Sequence, residues 1–309
     1  MERKREAGSA KTMGSEENLR SVAIIGLGLL GGSLGLALGR CGKRRIGWAR
    51  RAETLDTALT IGAVDTVCPR LEDALAAADV VVLCLPIPVI IEFLPVCAKC
   101  CPPETVVTDI GSIKSEIVSR AEQVFPAEGG PFFVGSHPMA GTEKSGLAAA
   151  FPELYDRADV FVTPPCGARE EAVKKVEALW HGLSCHTSRM DARSHDLLVA
   201  RTSHALHVVA SALSLDILGG GTEEERRLRF KGCATGFKDT SRIASSSPRM
   251  WREIVESNQP AVLEALEGFE KELARLKLLI AQGDFDGFER EFARGKALRD
   301  SWLDYKGMK

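Results

Sequence analysis

Several common functional signals are missing from this chain. Charge of one sign is missing: 40 lysines and arginines stand against 42 acidic residues, for a net charge of −2. No basic surface for nucleic acid or anionic membrane is therefore advertised. Paired cysteines are missing too. Nine cysteines, an odd number at irregular spacing, do not make a disulfide scaffold and suit a reducing, cytoplasmic compartment. Long apolar runs are confined to residues 23–39. That stretch lacks charge but carries six glycines and is short for a bilayer span. The first twenty residues have no apolar leader core, and their glutamates argue against a transit peptide, so they read as a disordered tail. No internal repeat is visible. With 45% hydrophobic and 27% charged residues over 309 positions, there is apolar side chain enough for one large or two ordinary globular domains.

Strand-like and helix-like segments alternate from residue 21 to about 190. Strands are expected at 21–25, 45–48, 80–85, 105–109, 132–135 and 159–163. Helices are expected at 33–41, 52–61, 71–78 and 170–183. The 80–85 run, VVVLCL, is apolar throughout, as a strand covered on both faces must be, and it stops at Pro86. Repeated βα units imply an α/β fold with a parallel sheet and helices on both faces. After Met190 no strand pattern remains, and residues 191–309 read as an all-helical second domain. Within it, Val262, Leu266, Phe269, Leu273, Leu276 and Ile280 recur at alternating spacings of 4 and 3. Such a seam serves either core packing or a subunit interface. Pro260 suits a first helical turn, with Asn258 as its cap.

The segment VAIIGLGLLGGSLGLAL sets Gly26, Gly28 and Gly31 in the order G-x-G-x-x-G, after a strand and at the opening of a helix. In that context the glycines serve a tight turn, a close approach to pyrophosphate and close helix packing. The free N–H groups of the helix start attract phosphate. A dinucleotide-binding Rossmann domain is expected, with Leu29 and Leu30 in the same loop and Pro86 at the end of a neighbouring strand. An NAD site usually carries an acidic residue at the end of the second strand. Here Ala49 takes that place and Arg50 and Arg51 follow. The missing carboxylate and the two guanidiniums favour NADP, with NAD still possible.

Turns after strands carry ligands in such folds. His137 is expected in a glycine-flanked loop directly after a strand, where it could accept a proton from an alcohol that gives up hydride. Ser112, after the neighbouring strand, could bond the same hydroxyl. His204 and His207, three apart on one helix face, read as core histidines or as substrate contacts. They lack an evident third partner for a metal, and no metal is expected. Arg242, in GFKDTSRIA, could grip a carboxylate bidentately or form a structural ion pair. Cys97, Cys100 and Cys101 read as structural thiols.

The segments IIGLGLLGGSL, TDIGSIK, GSHPMAGTEKSG, SHALH and GFKDTSRIASSSPRMW resemble the prephenate and arogenate dehydrogenases of tyrosine biosynthesis over roughly residues 21–305. The resemblance implies a Rossmann domain joined to a helical dimerisation domain, oxidative decarboxylation with hydride transfer to NAD(P), and a homodimer. It implies that His137, assisted by Ser112, bonds the ring hydroxyl. It also implies that Arg242 binds a substrate carboxylate and that His204 and His207 line the pocket. One departure is Ala205-Leu206, where the family often has Leu-Pro. Two other readings stay open: a different Rossmann-plus-helical dehydrogenase, such as a β-hydroxyacid dehydrogenase or imine reductase, and a non-catalytic NADP-binding sensor. The absence of lysine between Met190 and Phe230 weighs against the first.

Overall fold

The structure, a computed structural model, describes residues 19–142 and 144–308. Of the expected tail, residues 1–18 lie outside the described residues, and Leu19 is buried in a core cluster.

Six strands form one parallel sheet: β1 (Ser21–Ile25), β2 (Arg44–Trp48), β3 (Thr66–Val67), β4 (Val80–Leu83), β5 (Val106–Asp109) and β6 (Phe132–Phe133). Their order is β3-β2-β1-β4-β5-β6. Period-two alternation explains why β1 and β4 are apolar throughout. Val22, Ile24, Val80 and Val82 enter one core cluster, while Ala23, Ile25, Val81 and Leu83 enter the other. Helices cover both faces: α1 (Leu29–Arg40), α2 (Ala52–Thr60), α3 (Leu71–Ala76), α4 (Ile87–Cys100) and α5 (Ser115–Val124). The order reverses between β1 and β4, so a crevice opens at their carboxyl ends, beside the glycine turn and Pro86.

Two expectations are corrected by a second sheet. The strand expected at 132–135 is two strands, β6 and β7 (Gly135–Pro138), and β7 leaves the parallel sheet. It pairs antiparallel with β8 (Asp159–Thr163), which pairs in parallel with β9 (His186–Arg189). His137 therefore lies within a strand, opposite Phe161, and not in the loop after one. Strand β9, reading HTSR and largely exposed, has no apolar alternation by which to announce itself. Helix α6 (Glu170–His181) packs against β5, β8 and β9.

Beyond residue 190 all described elements are helical. Helix α7 (Ala192–Val199) starts at Asp191, whose side chain accepts from the Ser194 N–H. It runs through a π turn (Ala200–His204) into α8 (Ala205–Leu218). The Ala205-Leu206 departure thus falls inside a continuing helix. Then come α9 (Glu223–Gly232), α10 (Thr235–Ser241), a 3₁₀ turn (Arg242–Ser245) and α11 (Pro248–Ser257). The chain divides into two compact units after Asn258. The second is a hairpin of α12 (Gln259–Gln282) and α13 (Phe285–Lys306), in which Arg275 bridges Glu272 on its own helix and Glu291 on the other. Among the described residues, no helix is long and apolar enough to cross a membrane.

Candidate active site

The glycine turn has the shape a dinucleotide needs. Gly26 sits at φ +103°, and a Cβ there would overlap the Cys84 carbonyl oxygen at the end of β4. A Cβ on Gly31 would overlap the Gly26 carbonyl oxygen, so only glycine lets α1 close on the turn. Gly28, the N-cap of α1, has nothing within 4 Å of where its Cβ would stand. The helix start is therefore open for phosphate oxygens to approach its N–H groups. Leu29 is buried and Leu30 half-buried at the head of α1, while Pro86 caps α4. After β2, Ala49 is half-buried, and Arg50 and Arg51 are exposed.

Across the carboxyl edge, β5 ends at Asp109 and the turn carrying Ser112 follows. Asp109 and Lys114 form an ion pair with no solvent exposure at either side chain. Lys114 also donates to the Ser136 carbonyl at 3.1 Å, and the Ser136 hydroxyl donates to the Asp109 carbonyl at 2.7 Å. These bonds fasten the start of β7 to the end of β5 and so place His137. Ser112 is half-buried in the turn, and no hydrogen bond joins it to His137 among the described residues.

His137 Nδ1 lies 2.9 Å from His195 Nε2, and His195 Nδ1 lies 2.8 Å from Asp196 Oδ1. Asp196 also accepts from the backbone N–H groups of Lys114, at 2.7 Å, and Ser115, at 2.8 Å. The Asn258 side-chain amide donates to the Asp196 carbonyl at 2.9 Å and lies 3.2 Å from His204 Nδ1. The Asn258 side-chain amide thus ties the residue to α7 and to His204. His204 and His207 converge on Trp251. The His207 ring stacks on the indole at 3.8 Å between centroids, and the His204 ring meets it edge-on at 5.8 Å. The π turn supplies this convergence: one residue more per turn rotates the side chains beyond it by about 100°. No group of three metal-ligating side chains occurs among the described residues. Cys97 and Cys101 are buried free thiols, and Cys100 is a half-buried one.

Burial is the leading cause of every histidine shift here. It holds His137 well below the ordinary imidazole value, helped by the charges His195, Lys114 and His204 would present. It lowers His195 against the opposing pull of Asp196, and brings His204 down to about 4. His207 is lowered by burial and by the nearby Arg242 guanidinium, against the bond it makes to the Ser203 carbonyl. Burial works against the Asp196 carboxylate, yet the bonds from His195, Ser115 and Lys114 keep it below its usual value. At neutral pH the cluster thus holds neutral imidazoles beside an ionised carboxylate.

Of the residues the sequence singled out, His137, His204, His207 and Arg242 fall into one chain of neighbours. Its links — His195, Asp196, Asn258 and Trp251 — were not read from the sequence as partners. A usable signal existed only for His195-Asp196, a titratable pair on the buried face of a short helix.

Two family models match the chain. The nucleotide-binding domain of prephenate dehydrogenase matches residues 34–188, and the dimerization domain of prephenate dehydrogenase matches residues 191–294. The chain is 33% identical to a prephenate dehydrogenase of Bacillus subtilis, over 91% of its own length and 75% of the relative's. It is 30% identical to a cyclohexadienyl dehydrogenase of Zymomonas mobilis, over 91% and 95%. It is similar to the crystal structure of prephenate dehydrogenase from A. aeolicus in complex with hydroxyphenyl propionate and NAD+. The TM-score is 0.83 and the identity 32%, over 92% of this chain and 98% of that one.

Proposed function

The chain belongs to the prephenate dehydrogenase family of nicotinamide-dependent oxidoreductases. From that premise we propose that it oxidatively decarboxylates prephenate or arogenate, with NADP as the preferred acceptor. The bound nicotinamide supplies an acceptor for the hydride leaving the hydroxyl-bearing ring carbon. His137 takes the hydroxyl proton, a step its neutral state at pH 7 permits, and Ser112 bonds the same oxygen. The ring carboxylate leaves as carbon dioxide, and aromatisation drives the reaction. Arg242, close enough to depress His207, anchors a substrate carboxylate bidentately, with His207 and His204 lining the pocket.

The observation that carries this reading is the unbroken run from His137 through His195, Asp196, Asn258, His204 and Trp251 to His207. With Arg242 near enough to depress His207, this run supports reading His137 as a neutral base and Arg242 as a cationic anchor of one cluster. We assign residues 21–190 to cofactor binding and 191–309 to substrate binding and homodimer formation. For the cofactor, Gly26, Gly28, Leu29, Leu30, Gly31 and Pro86 form the phosphate turn and its surroundings. Arg50 and Arg51 stand exposed next to Ala49, with no carboxylate there to repel a 2′-phosphate.

The test is a paired assay of prephenate and arogenate, each with NADP and with NAD. Turnover of at least one substrate is expected, with higher kcat/KM for NADP. No reduced cofactor from either substrate would overturn the reading.

A further inference from the structure

The hydrogen bonds around His137 have a direction. An ionised carboxylate only accepts, and Asp196 already accepts from two backbone N–H groups. His195 Nδ1, 2.8 Å away, must therefore donate to it. A neutral imidazole that donates from Nδ1 keeps its lone pair on Nε2. The atom 2.9 Å from that lone pair is His137 Nδ1, which must donate in turn. The lone pair of neutral His137 is then on Nε2, the nitrogen this chain of bonds leaves unused.

We propose that His195 and Asp196 are positioning residues that hold His137 as its Nδ1–H tautomer, so that Nε2 is the proton-accepting atom. The proposal rests on the reading of His137 as the base. The carboxylate anchored on the turn before α5 sets the orientation of His195, and His195 sets that of His137. The Asn258 amide, donating to the Asp196 main chain, fixes the position of that residue on α7.

The same bonds provide for the charge that appears during turnover. When the substrate O–H breaks, its proton forms a bond to His137 Nε2. The Nδ1 proton of His137 can then shift to His195 Nε2, which leaves the positive charge next to Asp196. Loss of carbon dioxide leaves a phenolate. The shifts reverse, and the proton returns to the oxygen it came from. The chain of bonds ends in its starting state, and no proton is required from solvent.

The test combines ¹⁵N NMR of the full chain labelled in its six histidines with steady-state kinetics. His137→Asn identifies the His137 resonances. In the parent protein, without substrate, the proton is expected on His137 Nδ1. In Asp196→Ala no acceptor faces His195 Nδ1, so the direction of both bonds is released and the proton is expected to exchange between His137 Nδ1 and Nε2. That variant should lose about 10²–10⁴-fold in kcat with KM nearly unchanged. His195→Gln keeps a carbonyl oxygen to accept from His137 Nδ1 and should stay within about tenfold of the parent, whereas His195→Ala falls with Asp196→Ala. A His137 proton on Nε2 in the parent, or near-normal kcat in Asp196→Ala, overturns the proposal. Should Asp196→Ala fail to fold, the parent spectrum and the contrast between His195→Gln and His195→Ala decide it. The spectrum needs no substrate, so failure of the functional reading shows separately, as absence of turnover in the parent.

Discussion

Burial decides how His137 titrates. Desolvation penalises its imidazolium first, and the neighbouring His195, Lys114 and His204 add to that penalty. A base whose value is depressed stays unprotonated to lower pH, so kcat should hold level as pH falls through 6.5 and decline only below it. A pH profile of kcat with its acid midpoint at or above 6.5 would contradict this assignment. His137→Asn should retain cofactor and substrate binding while kcat drops about 10²–10⁴-fold, the usual contribution of a general base. Arg242→Ala should behave differently. An anchor that grips the carboxylate equally in ground and transition states affects KM far more than kcat, with a loss of about 2–5 kcal/mol for a desolvated charge pair. An unchanged KM with lowered thermal stability would make Arg242 a structural ion-pair residue. His137 was legible as a candidate because it sits in a glycine-bearing motif. Its partner was not, since His195 is 58 residues away and the packing of α7 against α5 and β8 brings the two together.

At the level of elements, legibility followed how local the cause was. The glycine turn could be read because its constraints act within a few residues: Gly31 meets the carbonyl of Gly26, five positions earlier. β4 could be read because both of its faces are covered. The break between β6 and β7 could not. FFVGSHP looks like one strand, and only pairing with β8, more than twenty residues on, draws its second half into another sheet. β9 is polar and exposed, and the π turn leaves no mark in a helical periodicity it merely shifts. The end of β2 lies on the legible side, and a cofactor prediction belongs to it. One charge-assisted contact from Arg50 or Arg51 to a 2′-phosphate is worth about 1.5–3 kcal/mol, which is tenfold or more in preference. Ala49→Asp combined with Arg50→Ala should therefore reverse the order of kcat/KM from NADP to NAD. Values that favour NAD in the unmutated protein would reduce the two arginines to a solvated loop.

At the scale of the whole molecule, the 4-3 seam left two readings open, and exposure bears on the choice. A seam closed by packing within one chain would be dry. On α12, Phe269 is 44% exposed, Leu273 53% and Ile280 54%, and on α13 Phe285 is 67% and Phe292 68% exposed. Soluble monomers rarely leave so many large apolar side chains uncovered along consecutive helices. The part of the chain that carries them matches a family model described as a dimerization domain. A second copy of this chain is the occupant such a surface fits, through one self-complementary patch. A stable interface of that kind covers roughly 800 Å² on each partner, which a few helices of this length can supply. Sedimentation at micromolar concentration should show a dimer. Phe269→Glu combined with Leu273→Glu would set four like charges against each other at the seam, and should shift the protein to a monomer while the β1–β6 sheet keeps its cofactor affinity. A parent protein that sediments as a monomer would return the seam to packing within the chain. A dimer that the double substitution leaves intact would move the interface to another face.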